Sequence, residues 1–253
     1  VSELPVQPFL LITDLDNTLV GLDTALDELN QKLDQHRQKY GTRLIYSTGR
    51  SPTLYRELEE EKGLLKPDVL ILSVGTEIYY QGQDAIDTGW AERLSQGWNQ
   101  AEVRAVGSHF ADLVPQPETE QRPYKVSYFL SEAAAKEVIP RFDKALRDRG
   151  IDAQLIYSGG QDLDILPRHA NKGNAMGFIR EQLGIGSEHT IACGDSGNDL
   201  SMFQARDERG IIVGNARPEL LEWHYLNPNP NRYLAKNHCA AGILEGLQHF
   251  GFL

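Results

Sequence analysis

Short apolar runs that each stop in a cluster of polar and glycine residues recur along this chain. Residues 9–13, 44–47, 69–72 and 190–193 are such runs, and the clusters 14–21, 48–51 and 73–77 follow the first three. A strand that is apolar on both faces fits a sheet covered on both sides, which is the situation of parallel strands joined by helices. Polar stretches between the runs supply those helices, at 24–39 and at 53–62, the second ended by Gly63. The pattern predicts an α/β fold with a parallel-sheet Rossmann-like core. Ligands in open sheets of this kind bind beyond the carboxyl ends of the strands, which is where the polar clusters fall.

From residue 81 the texture changes. Stretches around Trp90 and Trp98 precede a proline-rich connection at 115–123. A strand at 125–130, a helix at 132–149 and strands at 153–157 and 163–166 follow, the makings of a small α+β unit. After Pro167 the α/β pattern resumes, with helices at 171–183, 200–204, 219–225 and 242–249 and strands at 190–193 and 210–213. The expected organisation is a catalytic core of residues 1–80 and 168–253, with a cap of residues 81–167 inserted into it.

Composition narrows the function classes. The 253 residues carry 25 Lys and Arg against 36 Asp and Glu, a formal charge of −11, which would repel nucleic acid or an anionic membrane. A small anionic substrate stays open, because a local metal and a few cations can reverse the field inside a pocket. Cys193 and Cys239 form neither a disulfide framework nor a zinc site and suit a reducing compartment. The longest apolar run, 9–12, is far short of a membrane span, and the N-terminus lacks a basic-then-apolar leader. The expectation is a soluble, cytoplasmic protein. The histidines, His36 and His109 among them, show no ligand spacing.

Four stretches carry chemistry. Asp14-Leu15-Asp16-Asn17-Thr18 follows the first strand, and alternation turns Asp14 and Asp16 to one side. This is either an Asx turn or a carboxylate nucleophile beside an acid/base partner. Cys193-Gly194-Asp195-Ser196-Gly197-Asn198-Asp199 follows another strand and offers short oxygen ligands. Magnesium prefers one or two carboxylates with waters and phosphate oxygens, and a calcium loop would need a different glycine and a terminal Glu. Asp195 is then the direct ligand, and Asp199 a ligand or an orienter of bound water. Ser47-Thr48-Gly49-Arg50 is a helix cap or a hydroxyl and amide cradle for phosphate. Asn171-Lys172-Gly173 puts a cation at a helix N-terminus, unfavourable for the macrodipole unless it meets an anion. Together these supply the positioning and charge stabilisation that phosphoryl transfer needs. The chain has neither a G-x-x-x-x-G-K-[ST] loop nor a G-x-G-x-x-G after its first strand, so nucleotide-binding alternatives lose support.

The order and spacing of these motifs resemble the haloacid dehalogenase superfamily of phosphatases. Asp14-x-Asp16-x-Thr18 matches its first motif, Thr48 the second, Lys172 the third and Gly194-Asp195-x-x-x-Asp199 the fourth. The stretches LITDLDNTLVG, STGRS, VGTEIYY, KVSY, SGGQDLDILP, NKGNA, CGDSGND and VGNARPELL are similar to the sucrose-phosphate phosphatases, the cyanobacterial ones in particular. That resemblance implies magnesium-dependent hydrolysis of sucrose 6-phosphate, the final step of sucrose synthesis, through an aspartyl-phosphate on Asp14. It implies Asp16 as acid and base, its backbone carbonyl on the metal, Thr48 and Gly49 on phosphoryl oxygens, and Lys172 on their charge. Substrate-binding candidates on the core side are Arg50, Thr76, Glu77, Asn171 and Asn198, and on the cap Lys125, Tyr128, Asp162 and Asp164. The implied partner is a small-molecule sugar phosphate, and a transient association with the enzyme that forms it stays open. Two other readings remain: a phosphatase for another sugar or glyceryl-glycoside phosphate, and a non-catalytic partner of a synthase.

Overall fold

The computed structural model describes residues 7–204 and 207–253. The chain opens with β1 (Leu10–Thr13), α1 (Asp23–Tyr40), β2 (Arg43–Ser47), α2 (Pro52–Lys62), β3 (Val69–Leu72) and β4 (Glu77–Tyr80). The inserted stretch holds α3 (Thr88–Ser95), α4 (Gln100–Gly107), β5 (Val114–Pro115), β6 (Val126–Phe129), α5 (Glu132–Asp148), β7 (Ala153–Ser158) and β8 (Asp162–Pro167). The chain then returns through α6 (Lys172–Leu183), β9 (Thr190–Gly194), α7 (Leu200–Gln204), β10 (Arg209–Ile212), α8 (Pro218–Leu226), β11 (Arg232–Leu234) and α9 (Cys239–His249).

Seven strands form the larger sheet in the order β11-β10-β9-β1-β2-β3-β4. Every neighbouring pair is parallel except β3 with β4. The central strand shows why. Leu11 packs on one face with Leu29, Tyr46 and Ile243, while Leu10 and Ile12 pack on the other with Ile45, Ile71 and Ile179. All four residues of β1 are buried, so its sequence carries no polar alternation. Local signals set the helix ends: the Ser51 side chain accepts from Leu54 N with Pro52 in the first turn, and Gly63 ends α2 at φ 58°.

The smaller sheet is antiparallel, in the order β5-β6-β8-β7. One face packs Val126, Tyr128, Leu163 and Ile165 against Val103 of α4 and Phe142 and Leu146 of α5. Its other face carries Ser127, Asp162 and Asp164 toward the core.

The short strands β4, β5 and β11 and the helices α3 and α4 escaped the sequence patterns. β4 is an antiparallel edge strand of four residues, too short to show a period, and β11 is shorter still. Trp90 lies in the helix α3, and Trp98 in the loop that leads into the helix α4. The two helices differ in allegiance: Trp90 and Leu94 of α3 pack into the core cluster, Trp90 against Phe178 at 5.3 Å between rings, whereas Val103 and Val106 of α4 belong to the cap cluster.

Candidate active site

β1 lies between β2 and β9, so the ends of these three strands emerge side by side. Asp14 N donates to Cys193 O at 3.0 Å, joining the ends of β1 and β9, and Thr48 N to Ile71 O at 2.9 Å, tying the end of β2 to β3. Asp14 is buried, and one of its carboxylate oxygens accepts from Lys172 Nζ at 2.6 Å. The same ammonium donates to Asp199 Oδ1 at 2.6 Å. The second oxygen of Asp199 accepts the amides of Asp195 and Ser196 at 2.9 and 3.1 Å. Asp199 therefore anchors both Lys172 and the loop that presents Asp195. Gly194 is required here, since a Cβ would stand 2.5 Å from the Asp199 side chain.

Ligand oxygens of Asp14, Asp195 and Asp199 lie within 4.8 Å of one another. Lys172 is the ammonium they crowd around, which leaves two negative charges, the charge of one divalent cation. Burial, with repulsion from Asp199 and Asp195, holds the Asp14 carboxyl well above the usual carboxylate range despite Lys172. Burial and Asp199 push Asp195 up to about 7, against the hydrogen bond from Thr18 Oγ1 at 3.1 Å. Lys172 moves upward because its two carboxylates outweigh its burial. The acidic cluster can thus hold a metal ion, and its charge and chemistry fit a hard, oxygen-liking one.

After Asp16 the chain turns at Asn17, at φ 59° in the left-handed region that Asn tolerates better than most residues. Asp16 is half exposed at the mouth of the site and takes two hydrogen bonds from Arg50, at 2.8 Å from Nε and 2.7 Å from the second terminal nitrogen. The Thr48 hydroxyl is buried and accepts Arg50 N at 3.1 Å, which shapes the turn at Gly49.

A cleft of about 510 Å³ opens above these groups, between core and cap. Small-molecule sites run at about 300–1,000 Å³. A larger hollow, about 640 Å³, lies beside Trp90, Arg93 and Phe178, and none of the clustered carboxylates lines it. Asp14, Asp16, Gly49, Arg50, Asp195 and Asn198 line the core wall of the cleft; Lys125, Asp162 and Asp164 line the cap wall. Lys125 is buried, with Nζ 3.7 Å from Asp164 and 3.8 Å from Glu120. Asp164 accepts from Ser127 Oγ at 2.6 Å and Asp162 from Gln116 Nε2 at 2.9 Å. Burial and Asp164 raise the Asp162 pKa. Thr48, Lys172 and Asp199 stand behind this surface.

Four sequence candidates are placed elsewhere. Tyr128 alternates away from Ser127 and Phe129 into the cap core, edge-on to Phe142. Thr76 donates its hydroxyl to Ser73 O at 2.9 Å, and Glu77 is enclosed by Ser73, Tyr79 and Arg122. Asn171 caps α6 by accepting Asn174 N at 2.7 Å. Conversely Gln116, Glu120, Phe129, Ser158, Gln161, Ser196 and Arg217 line the cleft and were not singled out. Ser158 and Gln161 lie in SGGQDLDILP, and Arg217 in VGNARPELL, so the signal for these was resemblance. Glu120, between prolines in a 3-10 turn, has no periodicity to reveal it.

Known proteins match this arrangement. The sequence model of the family described as Sucrose-6F-phosphate phosphohydrolase matches residues 7–251. The probable sucrose-phosphatase 2 of Arabidopsis thaliana is 43% identical over 250 residues, 95% of this chain and 59% of that protein. The chain thus spans about three fifths of that plant relative. The mannosylfructose-phosphate phosphatase of Agrobacterium fabrum is 35% identical, covering 96% of both chains. The crystal structure of the sucrose-phosphatase from Synechocystis sp. PCC6803, in complex with sucrose and phosphate, superposes with a TM-score of 0.91 at 41% identity, over 98% of this chain and 99% of that one. The chain belongs to the sucrose-6F-phosphate phosphohydrolase family, within the haloacid dehalogenase superfamily.

Proposed function

We propose that this chain hydrolyses sucrose 6-phosphate to sucrose and phosphate, with Asp14 as nucleophile and Mg2+ as cofactor. The observation that carries the reading is the position of Asp14: held by Lys172 at 2.6 Å, it lines a cleft whose cap wall presents Lys125, Asp162 and Asp164. A carboxylate and an ammonium are the acceptor and donor that sugar hydroxyls require.

In this reading a bond forms between an Asp14 oxygen and phosphorus as the bond from phosphorus to the sugar oxygen breaks. Asp16 gives the departing oxygen its proton, then takes one from the water that splits the aspartyl-phosphate and restores Asp14. Arg50 exchanges its hold on Asp16 for phosphoryl oxygens, which Thr48 and the Gly49 amide also bind. Lys172 stabilises the charge on those oxygens in the transition state. Asp14, Asp195 and the Asp16 carbonyl would hold Mg2+, with Asp199 orienting the site; the bound ion would offset the excess negative charge and polarise the phosphoryl group. Asn198 and Glu120 complete the lining around the substrate.

The same proposal takes residues 1–80 and 168–253 as catalytic core and 81–167 as cap, with α3 staying on the core side. It sets the reaction in the cytosol, where the free thiols of Cys193 and Cys239 suit a reducing compartment. Transient docking onto the enzyme that forms the substrate belongs to it on resemblance alone. A second reading, mannosylfructose phosphate as substrate, is favoured by the match across 96% of both chains to the Agrobacterium fabrum enzyme.

Phosphate release from a panel of sugar phosphates and a small aryl phosphate, with Mg2+ and with a chelator, tests both. Sucrose 6-phosphate should give the highest kcat/KM, and chelation should abolish turnover. A higher value for mannosylfructose phosphate would select the second reading, and turnover indifferent to chelation would remove the metal from the proposal.

A further inference from the structure

Glu77 is the first residue of β4 and is 2% exposed, and its two oxygens are fully committed. Oε1 accepts from Ser73 Oγ at 3.0 Å and from Arg122 Nε at 2.6 Å. Oε2 accepts from the Tyr79 hydroxyl at 2.6 Å and from a terminal nitrogen of Arg122 at 3.0 Å. Arg122 comes from the inserted stretch, so this bidentate pair joins core to cap. Burial would raise the Glu77 carboxyl, but Arg122, Tyr79 and Ser73 outweigh it and hold it below the usual range.

Each end of the pair leads into the cleft. Arg122 and Lys125 bond each other through both backbone groups at 3.0 Å, and Gln100 Nε2 donates to Arg122 O at 2.6 Å. Where Arg122 goes, the buried Lys125 follows. At the other end, Ser73 N donates to Arg50 O at 2.9 Å and Val74 N to Thr48 O at 3.0 Å. Ser73 and Val74 have φ 53° and 61°, a conformation costly for a β-branched residue and sustained only by its surroundings. Gly75 continues that loop against the backbone of Asn171, where a Cβ would stand 2.3 Å away. The loop that receives the Glu77–Ser73 bond supports the turn at Thr48–Arg50 through its own backbone bonds, which do not need the Glu77 side chain. A second bond between the two units, Ser51 Oγ to Glu120 Oε1 at 2.7 Å, lies on the cleft itself.

We infer that Glu77 and Arg122 are a positioning pair for selectivity: they set the sugar-facing Lys125 of the cap in register with the phosphate-binding turn of the core. Neither residue touches substrate. The pair acts on the sugar half of the cleft, so its loss weakens recognition of a sugar phosphate and spares a substrate that presents only a phosphate and a small leaving group. This rests on the proposed reading that the cap wall binds the sugar.

The test is kcat/KM for the best sugar phosphate of the panel, divided by that for a small aryl phosphate, in four variants. Arg122→Gln keeps a donor toward Glu77 but leaves that buried carboxylate without its cation, so its melting temperature is read beside the ratio. This variant should raise KM for the sugar phosphate and lower the ratio by roughly ten- to a hundredfold, the cost of a small misplacement, with aryl phosphate turnover within about twofold of wild type. Glu77→Gln, an isostere that avoids an unpaired buried charge, should shift the ratio equally. The double variant should shift it no further, because both changes break one contact. Arg122→Lys should recover only part, lacking the planar fork. A ratio unchanged in both single variants, even with a lower melting temperature, would overturn the inference and leave the pair structural. Single-variant effects that multiply would overturn it too. Because the ratio uses whichever sugar phosphate the wild type prefers, an error about sucrose 6-phosphate leaves this test intact.

Discussion

At Asp14, Asp195 and Asp199 the molecule gathers three carboxylates around the buried ammonium of Lys172, and it does so at a cost to its own stability. That cost is measurable. Asp195→Asn keeps the shape of the loop and removes one repelling charge. At neutral pH and above, in chelator, this variant should melt at a higher temperature than wild type. Added Mg2+ should raise the melting temperature of wild type, by about 2.7 kcal/mol of stability at a hundredfold excess over Kd, and that of the variant much less. Thermal melts of both proteins with and without Mg2+ decide it; a variant no more stable in chelator, with an equal gain from Mg2+, would remove Asp195 from the metal site. The residues that were legible in the sequence share this character. Asp14, Asp16, Thr48, Lys172, Asp195 and Asp199 are short polar or charged groups that interrupt apolar runs at fixed offsets, so their spacing shows. Tyr128, a binding candidate that the sequence leaves open between pocket and core, is ambiguous for the opposite reason. An aromatic on a half-buried strand suits either face, and only the pairing of Ser127 with Asp164 across β6 and β8 tells which side meets the cleft.

Among the elements, α1 shows how a helix without a ligand role still tunes the core. Its buried His36 packs between Phe9 at 5.0 Å and Tyr40 at 4.6 Å, with Nδ1 2.7 Å from Thr42 Oγ1. The Thr42 hydroxyl in turn accepts Phe9 N at 3.2 Å, just ahead of β1. Burial and the nearby Lys39 lower the His36 pKa below its usual value. The unfolded chain then binds the proton more readily, so the stability His36 contributes is complete above about 6.5 and is lost as the pH falls from there through the lower pKa of the folded ring. His36→Gln should cost about 1–2 kcal/mol at pH 7.5, and the gap to wild type should narrow toward pH 5. Denaturant melts across that range check it, and a gap that stays constant would contradict the buried neutral ring. The same helix was plain in the sequence, as were the parallel strands β1, β2, β3, β9 and β10, because each runs long enough or apolar enough to stand out. β4, β5 and β11 have four, two and three residues, too few for a pattern, and their existence depends on neighbours distant in sequence. For α3, the aromatic content was visible but its docking partner Phe178 lies far along the chain.

Over the whole molecule, the insertion of a cap between β4 and α6 was legible as a break in texture, because two units with separate cores need separate apolar patterns. Which groups cross between them was not: Ser51 with Glu120 and Glu77 with Arg122 are pairs of polar residues 69 and 45 positions apart. In the proposed reading a cap seated over Asp14 keeps bulk water from the reaction, so the second step depends on a group placed to activate a water. In that reading the group is Asp16. Asp16 serves both steps, so with a leaving group that needs no proton its removal should stall only the second, after Asp14 has taken the phosphoryl group, which gives the central claim its most direct measurement. Asp16→Asn is mixed with an aryl phosphate of good leaving group and Mg2+, quenched in acid, digested and weighed by mass spectrometry. The peptide containing Asp14 should carry a phosphoryl group in substantial yield, and the Asp14→Asn, Asp16→Asn double variant should carry none. A phosphoryl group on another residue, or no labelled peptide while phosphate is still released, would contradict Asp14 as the nucleophile.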